Sequence, residues 1–140
     1  MAGYSGTPMP RKLGINPGAR VVLLREPAGG VEGLTPADLP DGVEIRHDLR
    51  GARPFDVIVV FCNSVATMRM LYPKAVTRLA TSGGLWVAWP KKASGVPTDL
   101  SDSAVRSWCL ESGLVDNKTC AIDETWSGLR FVRRLEDRRG

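Results

Sequence analysis

The chain has one histidine, three cysteines and only 6% aromatic residues, and each shortage excludes a class of function. A lone histidine, His47, cannot build a histidine-rich metal centre. It stands mid-strand, with no acid or serine at the spacing of a catalytic motif. Cys62, Cys109 and Cys120 are odd in number and include no CxxC pair. That argues against a zinc site or a disulfide framework, and for thiols kept reduced in the cytoplasm. The motifs GxxxxGK[ST], GxSxG and HExxH are all missing. No apolar run approaches the ~20 residues that a spanning helix needs. The opening MAGYSGTPMPRKLG lacks the apolar core of a secretory signal. The expectation is a cytoplasmic protein with no membrane partner.

What remains is ordinary for a globular protein: 140 residues, 43% hydrophobic and 24% charged. The length suits one domain over 1–140, with an irregular arm at 1–18 and a frayed tail at 136–140. The net charge of +4 comes largely from Arg11, Lys12, Arg133, Arg134, Arg138 and Arg139. These read as a solvated basic tail, so nucleic acid is not the favoured partner.

Apolar patterning predicts the elements. Ala19 to Leu24 and Phe55 to Phe61 are continuous apolar runs, as in parallel strands buried on both faces. Val43 to Leu49 alternates, like a half-exposed strand, and Val31 to Leu39 allows a short helix. Asn63 and Ser64 are candidate caps for a helix from Val65 to Ala80, and Pro73 predicts a kink or a break in it. Ser82-Gly83-Gly84 closes that helix, and Leu85 to Trp89 is the next buried strand. Thr98 or Ser101 caps a helix ending near Ser112. Lys118 to Ile122 and Leu129 to Leu135 form a terminal hairpin. Strand, helix, strand, helix and an antiparallel pair make an α/β, Rossmann-like, doubly wound sheet, mostly parallel, with the hairpin at one edge.

The Leu85-to-Lys91 block, the preceding Gly83-Gly84 and the terminal hairpin resemble the C-terminal half of class I, Rossmann-like methyltransferases. The blocks PRKLGINPGARVVLL, GGLWVAWPKKASGVPTDL and GLVDNKTCAIDETWSGLRFVRRL look like a small actinobacterial domain family of unknown function. The first resemblance implies a reduced methyltransferase-type sheet, with S-adenosylmethionine as the cofactor to test. Cofactor binding in that family uses a glycine-rich turn after strand one and an acid ending strand two. Here Arg25-Glu26-Pro27 follows Leu24, Gly29-Gly30 comes late, and Asp48 is the candidate acid.

In such a sheet, ligands gather at the carboxyl ends of the parallel strands. That edge collects Arg25, Glu26, Asn63, Trp89, Lys91, Lys92, Ser94, Glu124 and Trp126. Lys91-Lys92 beside Ser94-Gly95 suits a small anion, or the lysines pair with Asp123 and Glu124. Trp86 and Trp89 must point to opposite faces. Trp86 and Trp108 read as core, and Trp89 and Trp126 as either core or the wall of a pocket or protein contact. Cys62 reads as a small buried hydrophobe. The sequence reads as a binding or regulatory module without catalytic residues. The alternative is a methyltransferase-like enzyme, or a nucleotide- or anion-binding protein, using the same edge. An unpaired hairpin edge would also suit a homodimer.

Overall fold

The chain is described by a computed structural model over residues 8–137. The first part of the predicted N-terminal arm and the end of the predicted tail lie outside the described residues. Within that arm, Met9–Leu13 forms a short helix, α1, ended by Gly14 in the left-handed region (φ 80°). Strands follow at Arg20–Leu24 (β1), Glu44–Arg46 (β2) and Phe55–Phe61 (β3). Then come helix α2 (Val65–Thr77), strand β4 (Leu79–Pro90), helix α3 (Asp102–Leu110), and strands β5 (Leu114–Ala121) and β6 (Trp126–Arg133).

These strands form one six-stranded sheet in the order β2-β1-β3-β4-β6-β5. The first four in that order are parallel, and β6 runs antiparallel to both β4 and β5. This is the mostly parallel α/β sheet with a terminal antiparallel pair that the apolar runs predict. The apolar runs Val57–Phe61 of β3 and Leu85–Trp89 of β4 suit neighbouring parallel strands that are covered on both faces.

The two faces are covered unequally. Under α2 and α3 lie Val22, Ile58, Val60, Leu85, Val87 and Trp89, packed with Met68, Tyr72, Val105 and Cys109. The other face carries Val21, Leu23, Val57, Val59, Trp86 and Ala88. Among the described residues it is covered by the five-residue α1 and the long β1–β2 connection, through Met9, Leu13, Val31 and Leu34, with Ile122 and Trp126 packed beside them. The strand period does set Trp86 and Trp89 on opposite faces. The buried Trp86 indole donates to the Leu13 carbonyl at 3.1 Å, which fastens the end of α1 to the sheet.

Several elements differ from their sequence-based bounds for identifiable reasons. Helix α2 runs through Pro73 as one helix. Pro73 is exposed, so the Arg69 carbonyl it leaves without an amide can turn to water. The helix stops at Thr77 because Leu79 pairs with Phe55 in the sheet. Ser82-Gly83-Gly84 is therefore an irregularity within β4 and no helix stop. Between Val31 and Leu39 only a single tight turn, Pro36–Asp38, is helical. Ser101, not Thr98, caps α3, accepting from the Ala104 amide at 3.2 Å.

Candidate functional site

The carboxyl ends of β1, β2, β3 and β4 share one edge of the sheet with the β5–β6 loop. All nine candidate residues lie along it, in two different settings. From β3 to β6 the edge is stitched by backbone. Cys62 N–H donates to the Ala88 carbonyl at 2.8 Å, and Lys91 N–H to that of Thr125 at 2.7 Å. Trp126 packs edge-to-face on Phe61, ring centres 5.2 Å apart, and Trp89 is buried in the core below α2 and α3. The Asp123 carboxylate accepts from the Thr125 and Trp126 amides, both at 2.8 Å, and so shapes its own loop.

Lys91, Lys92 and Ser94 form a compact turn. The Ser94 amide and hydroxyl both donate to the Lys91 carbonyl, at 3.0 and 2.6 Å. Those donors serve the turn. Among the described residues, neither lysine makes an ion pair with Asp123 or Glu124. Glu124, Lys92 and Asn63 are exposed. Cys62 is fully buried, and burial pushes its thiol up to about 12. It is no nucleophile.

Between β1 and β2 the edge opens. A cavity of about 420 Å³ is lined by Leu23, Val31, Leu34, Leu39 and Ile45, with Gly29, Gly30, Thr35 and Pro36 along one wall. Glu26 and His47 form its polar rim, the imidazole Nδ1 lying 3.0 Å from the Glu26 carboxylate. Of the nine candidate residues, only Glu26 lines this cavity. It exists because the β1–β2 connection covers this face with loop instead of a long helix. Asp48, the candidate acid, instead accepts from the Arg50 amide at 3.0 Å.

No acid stands at motif spacing from His47, but the fold brings one from far off in sequence: Glu26 stands beside it. No local motif could reveal the pair, since its members are far apart in sequence. The usable signal was topological, because adjacent parallel strands end together and Leu23, Ile45 and His47 share a face. The backbone supplies a second feature. Arg25, directly after β1, has φ 58°, the sole non-glycine residue with positive φ among those described. A non-glycine residue held there is strained. It turns the chain sharply off β1 and starts the cavity wall.

No protein-family model and no curated protein matches the chain, and nothing in these comparisons shows an actinobacterial family. Solved structures do match. The fibrillarin pre-rRNA processing protein of Methanococcus jannaschii is similar over 94% of this chain and 70% of its own, with TM-score 0.59 and 13% identity. A SAM-dependent methyltransferase from Aquifex aeolicus gives 0.57 and 14%, over 86% of this chain and 85% of its own. The ribosomal protein L11 methylase from Lactobacillus delbrueckii subsp. bulgaricus gives 0.55 and 11%, over 90% and 75%. At such identities the likeness is one of fold: the chain has the class I, Rossmann-like methyltransferase fold.

Proposed function

We propose that this chain is a small-molecule-binding module on a methyltransferase-type sheet, and that it binds its ligand in the cavity between β1 and β2. The observation carrying this reading is the cavity's position: it opens at the carboxyl ends of two adjacent parallel strands, the edge where open α/β sheets take ligands. Its chemistry narrows the ligand. Leu23, Val31, Leu34, Leu39 and Ile45 suit a flat apolar body, while Glu26 and His47 suit hydroxyl or amino groups at one end. A nucleoside combines the two, and the volume accommodates one.

The fold family implies S-adenosylmethionine, and the residues fit it in part. The cavity suits its nucleoside. The turn after β1 fits its amino-acid end poorly, because Pro27 has no amide to offer and Arg25 and Glu26 replace bare glycine backbone. This supports binding without methyl transfer, and three unpaired cysteines agree with a reducing, cytoplasmic setting. A methyltransferase is the second reading, favoured by the fold of the neighbouring structures.

Thermal shift with adenosine, S-adenosylmethionine and S-adenosylhomocysteine tests the proposal. A ligand binding the folded state raises Tm saturably, and Glu26→Gln should weaken that response about tenfold. If none of the three stabilises the protein, the nucleoside reading fails. Formation of S-adenosylhomocysteine from bound S-adenosylmethionine would favour the enzyme.

A further inference from the structure

The sheet ends in two edge strands, β2 and β5, and they offer different things to a neighbour. In β5 the pairing slips between Asp116 and Lys118, and such a bulge twists an edge away from further pairing. Among the described residues β2 pairs with β1 alone, in the parallel register Arg20–Glu44, Val21–Ile45 and Val22–Arg46. The Glu44 amide donates to the Ala19 carbonyl at 2.9 Å, on the β1 side. Alternation along the strand therefore turns both the amide and the carbonyl of Ile45 to the open side. Among the described residues neither has a hydrogen-bond partner there.

The side chains of this edge form a self-complementary pattern. Glu44 and Arg46 share one face, with 41% and 42% of their side chains exposed. Val43 and Ile45 lie on the other face, only partly buried against the core group under the β1–β2 connection. An antiparallel strand of the same sequence, centred on Ile45, sets Ile45 opposite Ile45 as a hydrogen-bonded pair. Glu44 then stands opposite Arg46 of the second copy, and Arg46 opposite its Glu44. These are non-hydrogen-bonded positions, where facing side chains come closest and opposite charges attract. A register centred on Glu44 or Arg46 would need backbone groups already committed to β1. His47 and Asp48 leave the strand as a bend, which keeps the register from moving towards them. Backbone parity and charge order thus select the same register independently.

We propose that this chain forms a symmetric homodimer by pairing β2 with β2 of a second copy, joining two sheets into one. Glu44 already touches Arg20 and Arg46 of its own chain, each at 3.4 Å. The second copy closes the two Glu44–Arg46 pairs into a ring of four charges and covers Val43 and Ile45. Ile45 and His47 also line the β1–β2 cavity, so the second copy lies along the cavity rim. The pairing rests on the sheet edge and stands or falls independently of any ligand.

Sedimentation velocity over a concentration series tests the proposal, with circular dichroism to confirm that each variant is folded. The wild type should pass reversibly from monomer to dimer. Arg46→Glu and Glu44→Arg each set like charges opposite one another twice, and each should weaken association at least tenfold. Mixed together, the two variants regain opposite charges at both positions and should form a heterodimer. The wild type carries an independent readout, because exchange of the Ile45 amide hydrogen should slow as the dimer forms. A wild type that stays monomeric at every concentration would overturn the proposal. So would a dimer that Arg46→Glu leaves intact, two folded variants that do not associate when mixed, or an Ile45 amide that exchanges equally fast in monomer and dimer.

Discussion

At the scale of single residues, the cysteines illustrate how burial decides chemistry. Cys62 and Cys109 are both fully buried, and burial pushes each thiol from 9.0 to about 12. Tyr72, which shares its hydroxyl with Ser112 at 2.9 Å, is also pushed up by burial. For an acid whose folded pKa is raised, the unfolded chain ionises first. The stabilising effect is thus complete below pH 9 and is lost as pH climbs from 9 towards 12. Stability should fall with an alkaline slope of up to about 1.4 kcal/mol per pH unit for each thiol. Urea unfolding across this range should show that slope, and the Cys62→Ala, Cys109→Ala double variant should flatten it. An alkaline limb that is unchanged in the double variant would refute the assignment. The inertness of Cys62 was legible in sequence, because its apolar run offers nothing to ionise it.

Among the elements, β4 departs most from its reading in sequence. Its apolar end, Leu85 to Trp89, was plain from composition. Its beginning was not, because Gly-Gly after a helix is also what a helix stop looks like. The structure uses the two glycines for close approach. A Cβ on Gly83 would meet the Asp56 carbonyl oxygen at 2.8 Å and that of Phe55 at 3.1 Å, both rigid backbone. The three atoms nearest to one on Gly84 all belong to the flexible Arg130 side chain. Gly83→Ala should therefore cost about 1–3 kcal/mol and Gly84→Ala less, as read from urea midpoints. The reverse order would show that Arg130 is held more rigidly than its neighbours imply.

At the scale of the whole molecule, the sheet was legible and the cavity was not. Strand type follows from continuous apolar runs, and the parallel pairing of β3 with β4 from the right-handed connection between them. The carboxyl edge could be placed from those strands alone, and the candidate residues do lie along it. Which part of the edge stands open depends on what covers the second face. That cover is a loop, residues 25–43, whose path is set by Arg25 in the left-handed region and by Met9 packing against Gly33. Neither leaves a period in the sequence. The Glu26–His47 pair was hidden for the same reason, since only the register of β1 against β2 brings its members together.

The central claim is that the open β1–β2 end of the sheet is the ligand site. Amide chemical shifts of the ¹⁵N-labelled protein, followed while S-adenosylhomocysteine is titrated in, test it most directly. The account predicts saturable shifts concentrated at Gly29, Gly30, Val31, Leu34 and His47, and their loss of affinity in Glu26→Gln. Saturable shifts confined to Asn63, Lys91 and Trp126, with the cavity residues unmoved, would contradict it.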